Sequence, residues 1–162
     1  MYSKILVPLD GSALAERAVT HAAEIAGGTG AEVILLKVVQ APLGKVPEAG
    51  ISEEIKSTRE IADQALAYLE GVASKIANES VKVKTIVLDG TAAACILGYA
   101  HDEDVDAIVM STHGRTGLSK AFMGSVAEEV MHTTKRPVML VKPEKFRVAH
   151  HLDEGEVFTG AH

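Results

Sequence analysis

The sequence predicts a doubly wound α/β domain: five strands in one mostly parallel sheet, with helices on both faces. Two observations lead there. Short β-branched runs alternate with segments of helical period, and the runs are apolar nearly throughout, as strands buried on both faces are. The apolar residues are mostly Ala, Val, Ile and Leu, with aromatics at 4% and no Trp, a palette that suits helices packed on a sheet. A length of 162 residues suits one domain, and 47% hydrophobic residues against 23% charged exclude a disordered chain.

Each element has its own justification. "KILVPL", "AEVILLKVV", "VKVKTIVL", "VDAIVM" and "RPVMLV" read as the five strands. The first helix is expected from Ser12 to about Ala26, with Ala15, Ala18, Val19, Ala22 and Ile25 on one stripe and Gly27, Gly28 and Gly30 as its stop. A second carries Ile61, Ala65, Tyr68, Leu69, Val72 and Ile76 at spacings of three, four and seven. A third follows "DGT" and turns Ala92, Ile96, Leu97 and Ala100 inward, with Asp89 as a cap or turn residue. The fourth, Ser125 to Thr134, shows Val126, Ala127, Val130 and Met131 on one face and ends before Pro137.

Two segments fall outside this scheme. Gln40 to Ser52, "QAPLGKVPEAGIS", is expected as a flap or variable loop at the carboxyl edge of the sheet. The domain is expected over 1–144, followed by a loosely ordered tail over 145–162. The tail's His150 and His151, beside Asp153 and Glu154, could be written as a metal cluster, but ligands on a loose tail lose ordering entropy on binding, so no metal is expected there.

Charge and cysteine usage narrow the function. A formal net charge of −6 argues against broad attraction to nucleic acid or to an anionic membrane surface. The single cysteine, Cys95, offers neither an internal disulfide nor a CxxC pair and reads as a small buried hydrophobe. "MYSKILVPLD" has no long apolar run with a cleavage site, and no stretch reaches the length that spans a bilayer, so the expected location is cytoplasmic.

In a doubly wound sheet, ligands sit beyond the carboxyl ends of the strands where crossovers diverge. Here those ends are "PLDGS" and "MSTHG". The second opens the stretch "STHGRTGLSKAFMGS", in which Gly114, Gly117 and Gly124 let a phosphate approach the backbone. Gly124 and Ser125 lead into a helix whose first N–H groups and dipole attract an anion, and Ser125 is a candidate cap or hydroxyl donor. The dipole supplies only about 0.3 to 2 kcal/mol, against about 8 kcal/mol for micromolar binding. Arg115 and Lys120 bring positive charge, and Mg²⁺ offsets that of a triphosphate. Pro8, Val38 and Asp10 form an apolar slot and a ribose acceptor if the first two strand ends lie beside the fourth.

These residues resemble the universal stress protein family. Its nucleotide-binding branch carries G-x2-G-x9-G-[ST], and here Ser111, Gly114, Gly124 and Ser125 give S-x2-G-x9-G-S. "KILVPLDGS", "VILLKVV" and "GSVAEEVMHTTKRPVMLVK" extend the resemblance from Met1 to about Lys142. It implies a flavodoxin-like domain with strand order 3-2-1-4-5 that binds ATP and forms a homodimer through its last strand, Val138 to Val141. Pro8, Leu9, Asp10 and Val38 then surround adenine and ribose. Met110, Gly114, Gly124, Ser125 and Val126 take ribose and phosphates, with Arg115 and Gly117 shaping the loop. Ser111 departs from the motif's first glycine, and its hydroxyl either crowds the phosphates or bonds to one of them.

Two further classes are weighed against an ATP-dependent binding module that a regulatory partner protein reads. One is a nucleotide-free dimeric scaffold. The other is an enzyme, for which Asp10 and His113 are the acid and base candidates; phosphoryl transfer needs more than these, so any hydrolysis is expected to be slow. The first loop lacks the SGGxD pattern of ATP pyrophosphatases, and a receiver domain needs an acidic cluster where Asp10 stands alone.

Overall fold

A computed structural model of the chain describes residues 1–40, 51–113 and 123–143, the side chains of 51–56 excepted. Five strands form one parallel sheet: β1 (Lys4–Pro8), β2 (Glu32–Val39), β3 (Lys82–Asp89), β4 (Ala107–Ser111) and β5 (Val138–Val141). Their order is β3-β2-β1-β4-β5, the flavodoxin-like order. Helices α1 (Ala13–Thr29), α2 (Ile51–Ile76), α3 (Ala92–Asp102) and α4 (Ser125–Thr133) connect them.

The sheet is double-faced because its central strands run apolar through their middles, Ile5–Val7, Val33–Leu36 and Ala107–Met110. Ile5 and Val7 of β1 and Val33 and Leu35 of β2 pack against α1 and α2. Their alternates Leu6, Ile34 and Leu36 pack against α3 and α4. Each of these seven side chains is at most 1% exposed, and each full burial contributes about 1.5 to 3 kcal/mol. The chain passes from β1 to β2 on one side and from β3 over to β4 on the other, so the crossovers diverge between β1 and β4.

Several expectations about helix ends change. α1 does not stop at Gly27 and Gly28 but runs through them to Thr29. Gly30 is the residue that ends it, in the left-handed conformation at φ 75°, which a residue with a Cβ adopts only at a cost. α2 starts at Ile51, so the last residues of the Gln40–Ser52 segment belong to a helix; residues 41–50 lie outside the described part. The N-cap of α3 is Thr91, while Asp89 is the final residue of β3. α4 has Gly124 as its N-cap, not Ser125, which is the first helical residue.

Burial brings two more corrections. Met131 of α4 is 37% exposed, because α4 buries only Ala127 and Val130 fully. Cys95 is half-buried, not enclosed. Its Sγ would lie 3.1 Å from a Cβ placed on Gly90. Among the described residues, no helix is long and apolar enough to cross a membrane, and no three His, Cys, Asp or Glu side chains gather as metal ligands. His150 and His151, with the rest of the tail over 145–162, lie outside the described residues.

Candidate functional site

A cavity of about 240 Å³ opens where the crossovers diverge, at the carboxyl edge of β1 and β4. Strand register puts its walls there. Pro8 pairs with Leu36, so Val38 extends past the end of β1 and stands beside the loop that follows it. β1 and that loop contribute Pro8, Leu9 and Asp10; β2 contributes Leu36 and Val38; β4 contributes Met110 and Ser111. The start of α4 adds Gly124, Ser125 and Val126 to the lining. Nine of the residues anticipated from sequence therefore come together in one cavity. Gly114, Arg115 and Gly117, with Lys120, lie outside the described residues.

The cavity also has walls that the sequence reading did not assign to a site. Ala15, Ala92, Ile96, Thr112 and Ala127 complete it, together with Leu36 and with His113, which was weighed only as an acid or base candidate. Leu36 was legible, since it shares a strand face with Val38. Ala92 and Ile96 were expected inward, yet nothing local says that their inward face looks into a void instead of a filled core.

Asp10 is held by its neighbour. Its Oδ1 accepts the backbone N–H of Ser12 at 2.9 Å and the Ser12 hydroxyl at 2.6 Å. Gly11 makes this bend possible at φ 88°, in the region that favours glycine. A Cβ there would also lie 3.7 Å from the Lys37 ammonium. Lys37 in turn sits 5.1 Å from the Tyr68 ring centre, and the Tyr68 hydroxyl donates to Glu16 Oε1 at 3.0 Å.

The turn after β4 is similarly tied down. Thr112 N–H donates to Val141 O at 3.0 Å, and Gly124 N–H to Thr112 O at 2.7 Å, so β5 and the start of α4 both register on this turn. The imidazole Nδ1 of His113 lies 2.8 Å from the Thr112 hydroxyl, while its Nε2 is buried with no partner among the described residues. Ser111 is 9% exposed, and its hydroxyl donates to His113 O at 2.9 Å. That bond occupies the proton of the Ser111 hydroxyl within the turn.

α4 opens toward the cavity, and among the described residues its first amides have no acceptor. The first intrahelical bond runs from Glu128 N–H to Gly124 O at 3.0 Å, so by helix geometry the N–H groups of Ser125, Val126 and Ala127 have no carbonyl four residues back. Gly124 makes no side-chain cap, and the exposed Ser125 hydroxyl is not engaged as one. The site therefore combines an apolar interior, one oriented carboxylate and one open helix N-terminus. That combination accepts a ligand with an apolar ring, hydroxyl donors and an anionic end.

Comparison with known proteins agrees with this architecture. A family model for the universal stress protein family matches residues 1–142. Universal stress protein MJ0531 of Methanocaldococcus jannaschii is 38% identical over 148 residues, covering 90% of this chain and 85% of that protein. The solved structure of MJ0577, a universal stress protein of the same organism, superposes with a TM-score of 0.76 at 33% identity, covering 90% of this chain and 99% of that one. Universal stress protein UspA from Lactobacillus plantarum gives a TM-score of 0.74 at 25% identity, covering 86% and 97%. The strand order, the switch-point cavity and these matches over nearly the whole described chain lead to one assignment: the chain belongs to the universal stress protein family.

Proposed function

We propose that this chain is an ATP-binding regulatory module, with hydrolysis slow at most, whose nucleotide state is read by a partner protein. The observation that carries the reading is that Asp10 and the N-terminus of α4 line one cavity with apolar walls. Pro8, Leu9 and Val38 supply the wall for the base, and Asp10 accepts ribose hydroxyls. Met110 and Val126 flank the sugar and first phosphate. Gly124 and Ser125 hold phosphate oxygens through backbone N–H groups and the serine hydroxyl, with Gly114, Arg115 and Gly117 completing the loop. The cavity volume of about 240 Å³ lies just under the ~300–1,000 Å³ usual for ligand pockets. It suits the base and sugar, with the phosphates at its mouth. Mg²⁺ joins through the phosphates, since Asp10 is the one carboxylate among the described cavity residues.

The same reading includes a homodimer through β5. That strand is the edge of the sheet, and Met139 on it is 44% exposed, an unpaired and apolar border of the kind that second copies cover. A negative net charge leaves nucleic acid and membrane surfaces out of the partner set.

The test is direct. Freshly purified protein is denatured, released nucleotide is identified by chromatography, and the emptied protein is titrated with Mg·ATP beside Gly124→Asp. Gly124 sits at φ −65° and ψ 147°, which aspartate adopts freely, and aspartate is itself a good N-cap. The variant is therefore expected to fold while its carboxylate repels phosphate. Saturable ATP binding that the variant loses supports the reading. Absence of both co-purified and titratable nucleotide overturns it in favour of the dimeric scaffold.

A further inference from the structure

The loop between β1 and α1 binds Asp10 on one side only. Oδ1 takes both donors of Ser12, the N–H at 2.9 Å and the hydroxyl at 2.6 Å. The same hydroxyl oxygen accepts the Ala15 N–H at 3.1 Å as the N-cap of α1. A hydroxyl has one proton and two lone pairs, so these two bonds fix its direction: the proton goes to the carboxylate and a lone pair to the helix. The 2.6 Å separation is in the range of charge-assisted O–H···O⁻ bonds. Among the described residues, none donates to Oδ2.

We infer that Ser12 is a positioning residue: by clamping Oδ1 it holds Asp10 with Oδ2 free for a sugar hydroxyl, and it thereby sets a preference for ribose over sugars lacking the diol. The inference rests on the ATP reading above and adds the group that decides sugar selectivity. A carboxylate held by one oxygen to the end of a 17-residue helix cannot swing to follow a ligand. A sugar with hydroxyls meets Oδ2 already oriented. A sugar without them leaves a partly desolvated carboxylate unpaired, which is how a site built around a hydroxyl rejects its deoxy analogue. Gly11 serves the same arrangement, because its φ of 88° brings Ser12 back under the Asp10 side chain.

The test compares Mg·ATP with Mg·2′,3′-dideoxy-ATP by calorimetric titration of the full chain and of Ser12→Gly and Ser12→Thr. Glycine is chosen because it keeps most of the N-cap function without the hydroxyl, and a thermal melt checks that the variant is folded. The wild type is expected to prefer ATP by at least about tenfold, the scale of a hydrogen bond to a charged group. Ser12→Gly is expected to bring that ratio near unity while dideoxy-ATP affinity stays within about twofold, and Ser12→Thr to keep the preference. Equal weakening of both ligands in Ser12→Gly assigns the hydroxyl to the fold alone and overturns the inference. Equal affinity of the wild type for both ligands overturns it while the ATP reading stands. Failure of the wild type to bind either removes the ATP reading and the inference together.

Discussion

The hydroxyl of Ser111 and the carbonyl of His113 are joined at 2.9 Å, so the residue that replaces the family motif's first glycine closes the turn after β4. Ser111→Ala is expected to lower stability by about 0.5–1.5 kcal/mol, the net worth of one hydrogen bond. Because that hydroxyl is engaged within the turn, ATP affinity is expected to change by less than about threefold. Urea denaturation and calorimetric titration of the same variant measure the two effects, and a large loss of affinity at full stability contradicts the assignment.

Asp106 tethers the start of the chain to the far end of the sheet. It accepts the N–H of Ser3 at 2.7 Å and that of Lys4 at 2.9 Å, and these two bonds, Ser3 first, hold its carboxyl below the ordinary value of 3.8. A depressed folded-state value stabilises the fold when the group is ionised in both states. The contribution is therefore complete above pH 3.8 and fades as the pH falls below it. Asp106→Asn, denatured at pH 7 and again at pH 3, is expected to trail the wild type at the first pH and approach it at the second.

Tyr68 moves in the opposite direction. Burial, and then its bond to Glu16 at 3.0 Å, push its phenol above the ordinary range near 10. The folded state thus favours the neutral phenol, and the stabilisation is full below about pH 10 and lost progressively above it. In an absorbance titration of the three tyrosines, Tyr68 is expected to ionise last. Tyr68→Phe should remove that late step and cost about 1 kcal/mol at pH 7.

Gly30 ends α1 through its conformation. Its N–H donates to Ala26 O at 2.8 Å, and a Cβ there would meet nothing within 4 Å, so the obstacle to a side chain is φ alone. Gly30→Ala is expected to cost about 1–2 kcal/mol, or roughly 2–8 °C in Tm. Gly30→Asn should cost less, because asparagine tolerates this region better. Equal losses in the two variants would point away from backbone conformation as the cause.

Much of this architecture was legible locally. Every strand was anticipated within a few residues, because runs such as Val33 to Leu36 are apolar at consecutive positions and only a two-faced sheet buries such a run. Helix ends were less legible. Gly27 and Gly28 look like a stop, yet α1 continues through them, since its packing against the sheet outweighs about 1 kcal/mol per glycine. Ser125 looks like a cap, yet Gly124 takes that place because its N–H is anchored to Thr112 O at 2.7 Å, a contact between residues 12 apart in sequence.

The sequence by itself determined the alternation of strands and helices, the polarity of each strand face and the chemical character of the site residues, because periodicity and residue type act over a few neighbours. Only the tertiary structure decided what those residues do together. It brought Val38 beside Asp10 through the pairing of Pro8 with Leu36, and it engaged the Ser111 hydroxyl within its own turn. It also fixed one oxygen of Asp10 while leaving the other without a described donor. Such outcomes depend on strand register and on the direction of single hydrogen bonds, which are settled only when distant segments pack against one another.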